Sequence, residues 1–304
     1  MDRNVSTNIP KQKNLNIFGS KNQYYKNIRK AKRIITYIIL SIVSIYSVFP
    51  IYYMIMLSFS PVPSLGLMSL SAIIPNFSRM VTSTYVSILT HYPFLLWLRN
   101  SLFLTGVSSL IGVGLAITSG IVLSRFNMSG KKVLLYMLLI LTTFPMTVMV
   151  IPYYFMFAKL RLIDNIFALL IPYSAGALIF STYLIKNYVD SIPKDYEEAA
   201  QLDGYSRTEA LFKVLIPSAF PAVIFSFILS FMGPYTDYAL AGQFLTSAHL
   251  YTLAIGMYYV STGTVSMNYN TFAAFAVLMG LPIFIVFFVF QKYLVSGFSI
   301  GRYK

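Results

Sequence analysis

Six long runs, at about residues 34–59, 101–123, 133–158, 166–185, 214–232 and 272–290, contain no Asp, Glu, Lys, Arg or His. No other feature constrains the chain as much. About 20 consecutive apolar residues carry a helix through the roughly 30 Å hydrocarbon core of a bilayer. Inside that core each backbone polar group needs a partner from its own segment, which a helix supplies. The expectation is an all-α membrane protein with six transmembrane helices. Composition agrees: 57% of residues are hydrophobic and 11% charged, where soluble chains carry about 25% charged residues.

The charges sort by side. Residues 1–33 hold nine basic residues, Arg3, Lys11, Lys13, Lys21, Lys26, Arg29, Lys30, Lys32 and Arg33. The following run at 34–59 is too long for a signal-peptide core and ends without a small-residue cleavage pattern. It reads as a retained first span behind a basic cytoplasmic tail that anionic lipid heads attract, with residues 34–304 forming the transmembrane domain. Placing the N-terminus inside puts nineteen of the 23 Lys and Arg residues on the cytoplasmic side and only Arg79, Arg99, Lys159 and Arg161 outside. Basic residues favour the cytoplasmic side, so both termini are expected there. A seventh span at Leu250–Val260 would reverse the basic C-terminus, and that run is short. It reads as an interfacial or re-entrant segment. The net charge of +14 is then a record of topology, with no call for nucleic acid.

Several kinds of chemistry are excluded. Ionisable groups inside spans mark proton and ion pathways, and the spans have none. Asp237 follows the fifth span, and His91 and His249 read as surface residues of outer loops. The chain has no cysteine, no H-E-x-x-H pair and no phosphate-binding loop, since Gly130-Lys131-Lys132 lacks both the upstream glycine and the hydroxyl residue. No catalytic or metal-binding residue is expected, and no cofactor. Energy for any active transport has to come from another polypeptide. Gly106, Gly112, Gly114 and Gly120 suit close helix packing. Pro50, Pro145, Pro152, Pro172 and Pro282 can kink their helices, either as packing features or to shape a path. The clusters Tyr52-Tyr53, Tyr153-Tyr154 and Tyr258-Tyr259 fit an interfacial aromatic belt and identify no substrate contact.

One polar island interrupts this pattern. Residues 190–217 (DSIPKDYEEAAQLDGYSRTEALFKVLIP) hold six of the nine carboxylates. Pro193 suits a helix start, and Asp195, Glu197 and Glu198 complement the N-terminal end of its dipole. Gly204 stands where a helix stop needs positive φ. Ser206 to Glu209 has the spacing of a capping box that begins a second helix. Two short helices meeting at Gly204 form an elbow on the membrane surface, placed for a partner outside the bilayer.

The register Glu198-Ala199-Ala200, three residues, Gly204, nine residues, Val214-Leu215-Ile216-Pro217 resembles the EAA loop of ABC importer permeases. Val214 and Ile216 replace that pattern's Ile and Leu. Ser230–Tyr238 and Thr252-Leu253 resemble the outer end of the fifth span in carbohydrate-type permeases. Gln291–Gly301 is similar to the tail of the smaller permease subunit of maltose-type importers. The resemblance runs from about Ile34 to the C-terminus. It implies a permease that forms a translocation path with a second permease, receives a di- or oligosaccharide from an extracellular binding protein, and sits in the cell membrane. It also implies that a cytoplasmic ATPase dimer, which uses ATP and Mg²⁺, engages the loop through Glu198, Ala199, Ala200, Asp203, Gly204 and Pro217. Permeases for polyamines, phosphate or amino acids share the loop, and a secondary transporter or a membrane enzyme would need a different account of it.

Overall fold

The computed structural model describes residues 13–60, 80–262 and 269–297. Arg3, Lys11, Arg79 and the end of the tail from Phe298 lie outside them. All regular elements among the described residues are helical. The chain divides into two compact units, residues 1–55 and 56–304.

The first unit is described by one helix, α1 (Lys13–Ser58), whose last three residues belong to the second unit. Its stretch Asn27–Ser58 is apolar and long enough to cross a membrane. The side chains Ile34, Ile35, Ile38, Ile42 and Ile45 are exposed, as lipid-facing groups should be.

The second unit begins its regular structure with α2 (Ser83–His91) and α3 (Phe94–Arg125). Next come α4 (Lys131–Thr143) and α5 (Val150–Lys159), joined by a 3₁₀ turn. α6 (Leu170–Asp190) continues a 3₁₀ turn, and α7 (Asp195–Leu202) and α8 (Arg207–Ala210) follow it. A π turn at Leu211–Leu215 leads into α9 (Ile216–Thr236). α10 (Ala241–Phe244), α11 (Leu253–Thr262) and α12 (Tyr269–Gly297) complete it. Phe94–Arg125, Ile166–Asp190, Arg207–Thr236 and Tyr269–Tyr293 can each span a membrane. With α1 that makes five, and six if α4 and α5 together form one span.

The third expected span is not one straight rod. α4 and α5 meet at 85°. Phe144 and Pro145 are extended, with ψ of 122° and 126°, because a residue preceding proline is pushed out of the α region and proline lacks the N–H to continue the ladder. Pro152 and Pro172 each stand third in an α-helix that continues a 3₁₀ turn.

α3 and α6 lie close together where Gly112 and Gly120 face α6. A Cβ on Gly112 would come within 2.4 Å of the Ala177 Cβ, and one on Gly120 within 3.0 Å of Ile185. Gly106 and Gly114 have no such neighbour, so two of the four glycines serve this contact. Below it, Val113, Ala116, Ile121, Ile185, Val189, Leu215 and Ala219 form the core beneath the polar island.

Much of Leu250–Val260 packs inward against the rest of the second unit. Leu253, Ala254, Ile255, Gly256 and Val260 are buried, which closes the face that would otherwise meet lipid. The start of α3 holds this return segment through polar side chains. Asn100 donates to the carbonyls of His249 and Tyr251, Trp97 Nε1 donates to that of Ala248 at 2.9 Å, and the Leu253 N–H donates to the Ser101 hydroxyl. A Cβ on Gly256 would lie 2.2 Å from Trp97 Cε3. Gly256→Ala should therefore cost about 1–3 kcal/mol of overpacking. It should lower the melting temperature in detergent and red-shift the emission of Trp97, the single tryptophan.

A second clip joins the loop after α5 to the segment after α10. Asp164, at a left-handed φ of 58°, accepts from the N–H groups of Thr246 and Ser247 and from the Ser247 hydroxyl. The Ser247 hydroxyl bond is the main cause that holds its pKa down at about 2. A lowered folded-state pKa means the clip stabilises above the unfolded value near 4 and fades as pH falls toward 2. Its contribution should stay constant from pH 5 to 8, and a melting profile over that range should show no step that Asp164→Asn removes.

Candidate functional site

The polar island folds into the expected elbow. α7 carries Asp195, Glu197 and Glu198 in its first turn and ends in a Schellman arrangement. The Gly204 N–H donates to the Gln201 carbonyl and the Tyr205 N–H to that of Ala200, both at 3.1 Å. This closure requires φ of +94° at Gly204, a conformation that costs a β-carbon residue roughly 1–2 kcal/mol. The Ser206–Glu209 capping box is present in both directions and starts α8 at once. Lys213 pairs with Glu209 at 3.1 Å and lies over the Tyr205 ring.

A buried joint holds the elbow against the membrane helices. At the end of α3, the Arg125 guanidinium donates to Glu197 on α7 at 2.5 Å and to the Ile192 carbonyl at 2.9 Å. The two side chains are only 5% and 13% exposed. Beside them Asp190, the last residue of α6, accepts from the Ser124 hydroxyl and pairs with Lys186. The Arg207 guanidinium lies 4.5 Å over the Phe126 ring. Both arms are thereby tied to the end of α3, and α6 is tied to the same corner.

The candidate residues divide between the two sides of α7. Ala200 is buried, while Glu198, Ala199, Asp203 and Gly204 are exposed. Pro217 is exposed at the second position of α9. Leu202 was not singled out from sequence, yet it is 90% exposed and shares the elbow with exposed Tyr196, Tyr205 and Phe212. A lone exposed leucine would be ordinary; four exposed apolar side chains on one short elbow make a candidate contact face. Arg125 and Glu197 also went unrecognised. Arg125 read only as a topological charge, since nothing local announces a partner 72 residues away.

At the other end of α9, Asp237 accepts from the Tyr173 hydroxyl at 2.6 Å and from the N–H groups of Ala239 and Leu240. Its carboxylate caps the turn that leads into α10 and ties that turn to Tyr173 on α6. His91 is exposed at the end of α2 beside Ser87 and Thr90. Among the described residues, no group of His, Cys, Asp and Glu could hold a metal ion.

An elbow braced on a bundle of apolar helices, with exposed apolar side chains, is the geometry to set beside known proteins. Residues 112–300 match the family described as the binding-protein-dependent transport system inner membrane component. The chain belongs to this family and is a permease subunit of an ABC importer in the cell membrane. It is 29% identical over 280 residues to the galactooligosaccharides transport system permease protein GanQ of Bacillus subtilis strain 168, covering 91% of this chain and 97% of that one. It is 35% identical over 223 residues to the maltose/maltodextrin transport system permease protein MalG of Vibrio vulnificus YJ016, covering 70% and 73%. A crystal structure of a bacterial ABC transporter that imports the acidic polysaccharide alginate shares the fold. Its TM-score is 0.70 at 24% identity, over 87% of this chain and 96% of that one.

Proposed function

We propose that this permease imports a neutral di- or oligosaccharide, handed over by an extracellular binding protein, through a path it forms with a second, different permease chain. An ATPase dimer holding ATP and Mg²⁺ grips the elbow from the cytoplasm, where both chain termini also lie. The exposed face of α7, rigidly joined to α3 and α6, is the observation that carries the coupling role. Close approach at Ala199 and burial of Leu202 supply area, and Glu198 supplies a charge-assisted hydrogen bond to a basic partner group. Closure of the ATPase dimer then shifts a two-state bundle from inward-open toward outward-open by moving the elbow as a rigid body. The galactooligosaccharide and maltodextrin permeases above support a sugar as the cargo.

The test is uptake by proteoliposomes containing the complex purified through this chain. Maltotriose or galactobiose should accumulate only with ATP inside and the loaded binding protein outside. Accumulation without ATP would indicate a secondary transporter and overturn the reading. In the same system Gly204→Val should lower the sugar moved per ATP hydrolysed at least tenfold. Its Cβ meets nothing within 4 Å, so the loss would come from backbone conformation. Gly204→Asn, which tolerates left-handed φ, should retain most transport.

A further inference from the structure

We infer that a tyrosine-walled cavity beside α11 is a binding site for a single neutral sugar ring, distinct from the elbow and resting on the sugar-import reading above. The cavity measures about 280 Å³ and is lined chiefly by Tyr238, Tyr251, Tyr258, Tyr259, Thr246 and Thr262. The Tyr238 and Tyr258 rings stack at 4.3 Å between centroids and 28° between planes. Tyr251 and Tyr259 stand 6.5 Å apart at 56°. The rings come from two separate segments, the turn after α9 and α11 with its approach, and they meet around one space.

The walls are fixed in advance. The Tyr238 ring backs onto Gly242, where a Cβ would come within 2.9 Å of it. The Tyr251 hydroxyl donates to the Thr246 carbonyl, and its ring packs against buried Trp97 at 6.1 Å. A pocket whose walls are already ordered loses little freedom on binding. Tyr258 and Tyr259 are 48% and 53% exposed, so the cavity is open to solutes.

Its chemistry matches a pyranose. Tyr258 and Tyr259, the two exposed rings, offer apolar surface to the C–H side of a sugar, backed by Tyr238 and Tyr251, while hydroxyls of the tyrosines and threonines line the rim. The volume of about 280 Å³ falls just below the roughly 300 Å³ at which pockets for larger ligands begin, and suits one ring of a longer chain. No charged side chain lines it. A uronate or phosphate group would find no counter-charge there, so the site favours neutral glycosyl units. An interfacial belt would spread these tyrosines toward lipid and would not turn four of them onto a shared cavity.

The experiment uses the intact complex in proteoliposomes with saturating maltotriose-loaded or galactobiose-loaded binding protein. Tyr259→Ala and Tyr258→Ala should each reduce uptake at least tenfold, and Tyr259→Phe, which keeps the ring, should retain most of it. Saturation-transfer NMR on the complex without binding protein should show transfer to the C–H protons of free maltotriose or galactobiose, and the double alanine variant should abolish it. Unchanged subunit recovery and an unchanged melting temperature of the complex would establish that the variants are folded. Unaltered uptake and transfer in the variants would overturn the site. Loss of binding-protein capture with NMR transfer intact would overturn it in favour of a protein contact. A wild-type complex that moves another solute class and no sugar would refute the import reading beneath it as well.

Discussion

Arg125→Met is expected to abolish coupled uptake, with a loss of more than a hundredfold. The substitution removes one partner of an ion pair that is almost fully enclosed and strands Glu197 without its counter-charge. Breaking such a pair typically costs about 3–5 kcal/mol, more than an eight-residue helix can offset by its own propensity. α7 should detach from α3, and the purified permease should no longer retain its ATPase. Arg125→Lys should be intermediate, because a single ammonium cannot serve both Glu197 and the Ile192 carbonyl in the forked geometry of a guanidinium. Pairing Arg125→Met with Glu197→Met should recover part of the loss, since no charge is then left buried. Uptake and ATPase retention measured across these variants form a double-mutant cycle. Additive losses would show that the pair is not the brace.

Leu202→Asp is expected to weaken ATPase binding by about a hundredfold or more while leaving the permease as stable as before. Leu202 is 90% exposed, so its replacement removes almost no contact within this chain. Burying a leucine against a partner yields about 1.5–3 kcal/mol, and a carboxylate at that point adds a desolvation cost. Melting temperature in detergent should stay the same, while the amount of ATPase recovered in a titrated pull-down should collapse. Leu202→Met should bind nearly as well. A drop in melting temperature, or undiminished binding, would assign Leu202 no part in the contact.

The two variants probe different sides of α7, and the contrast shows what the chain discloses before it folds. The elbow was legible because its signals are local: a left-handed turn needs Gly204, and the cap needs Ser206 and Glu209 three residues apart. The spans were legible because lipid demands uninterrupted apolar length. The 85° break between α4 and α5 was not, since an apolar run has the same composition whether straight or bent, and Pro145 was one of several candidates for a kink. Pro152 and Pro172 carried the same signal but begin helices. α11 was ambiguous because a short apolar run reads alike at an interface and in a core, and its partners Trp97, Asn100 and Ser101 lie about 150 residues earlier. Arg125 had no local signal at all. Its role exists only once the ends of α3, α6 and α7 meet.

The central claim is that the face of α7 is where a cytoplasmic ATPase grips this permease. The most direct measurement replaces Leu202 with a photo-reactive phenylalanine analogue in native membranes, irradiates, and identifies the cross-linked product by mass spectrometry. The predicted result is one dominant adduct with an ATPase carrying a phosphate-binding loop, altered when ATP analogues close that ATPase. Adducts with lipid alone, or with a protein lacking that loop, would contradict it.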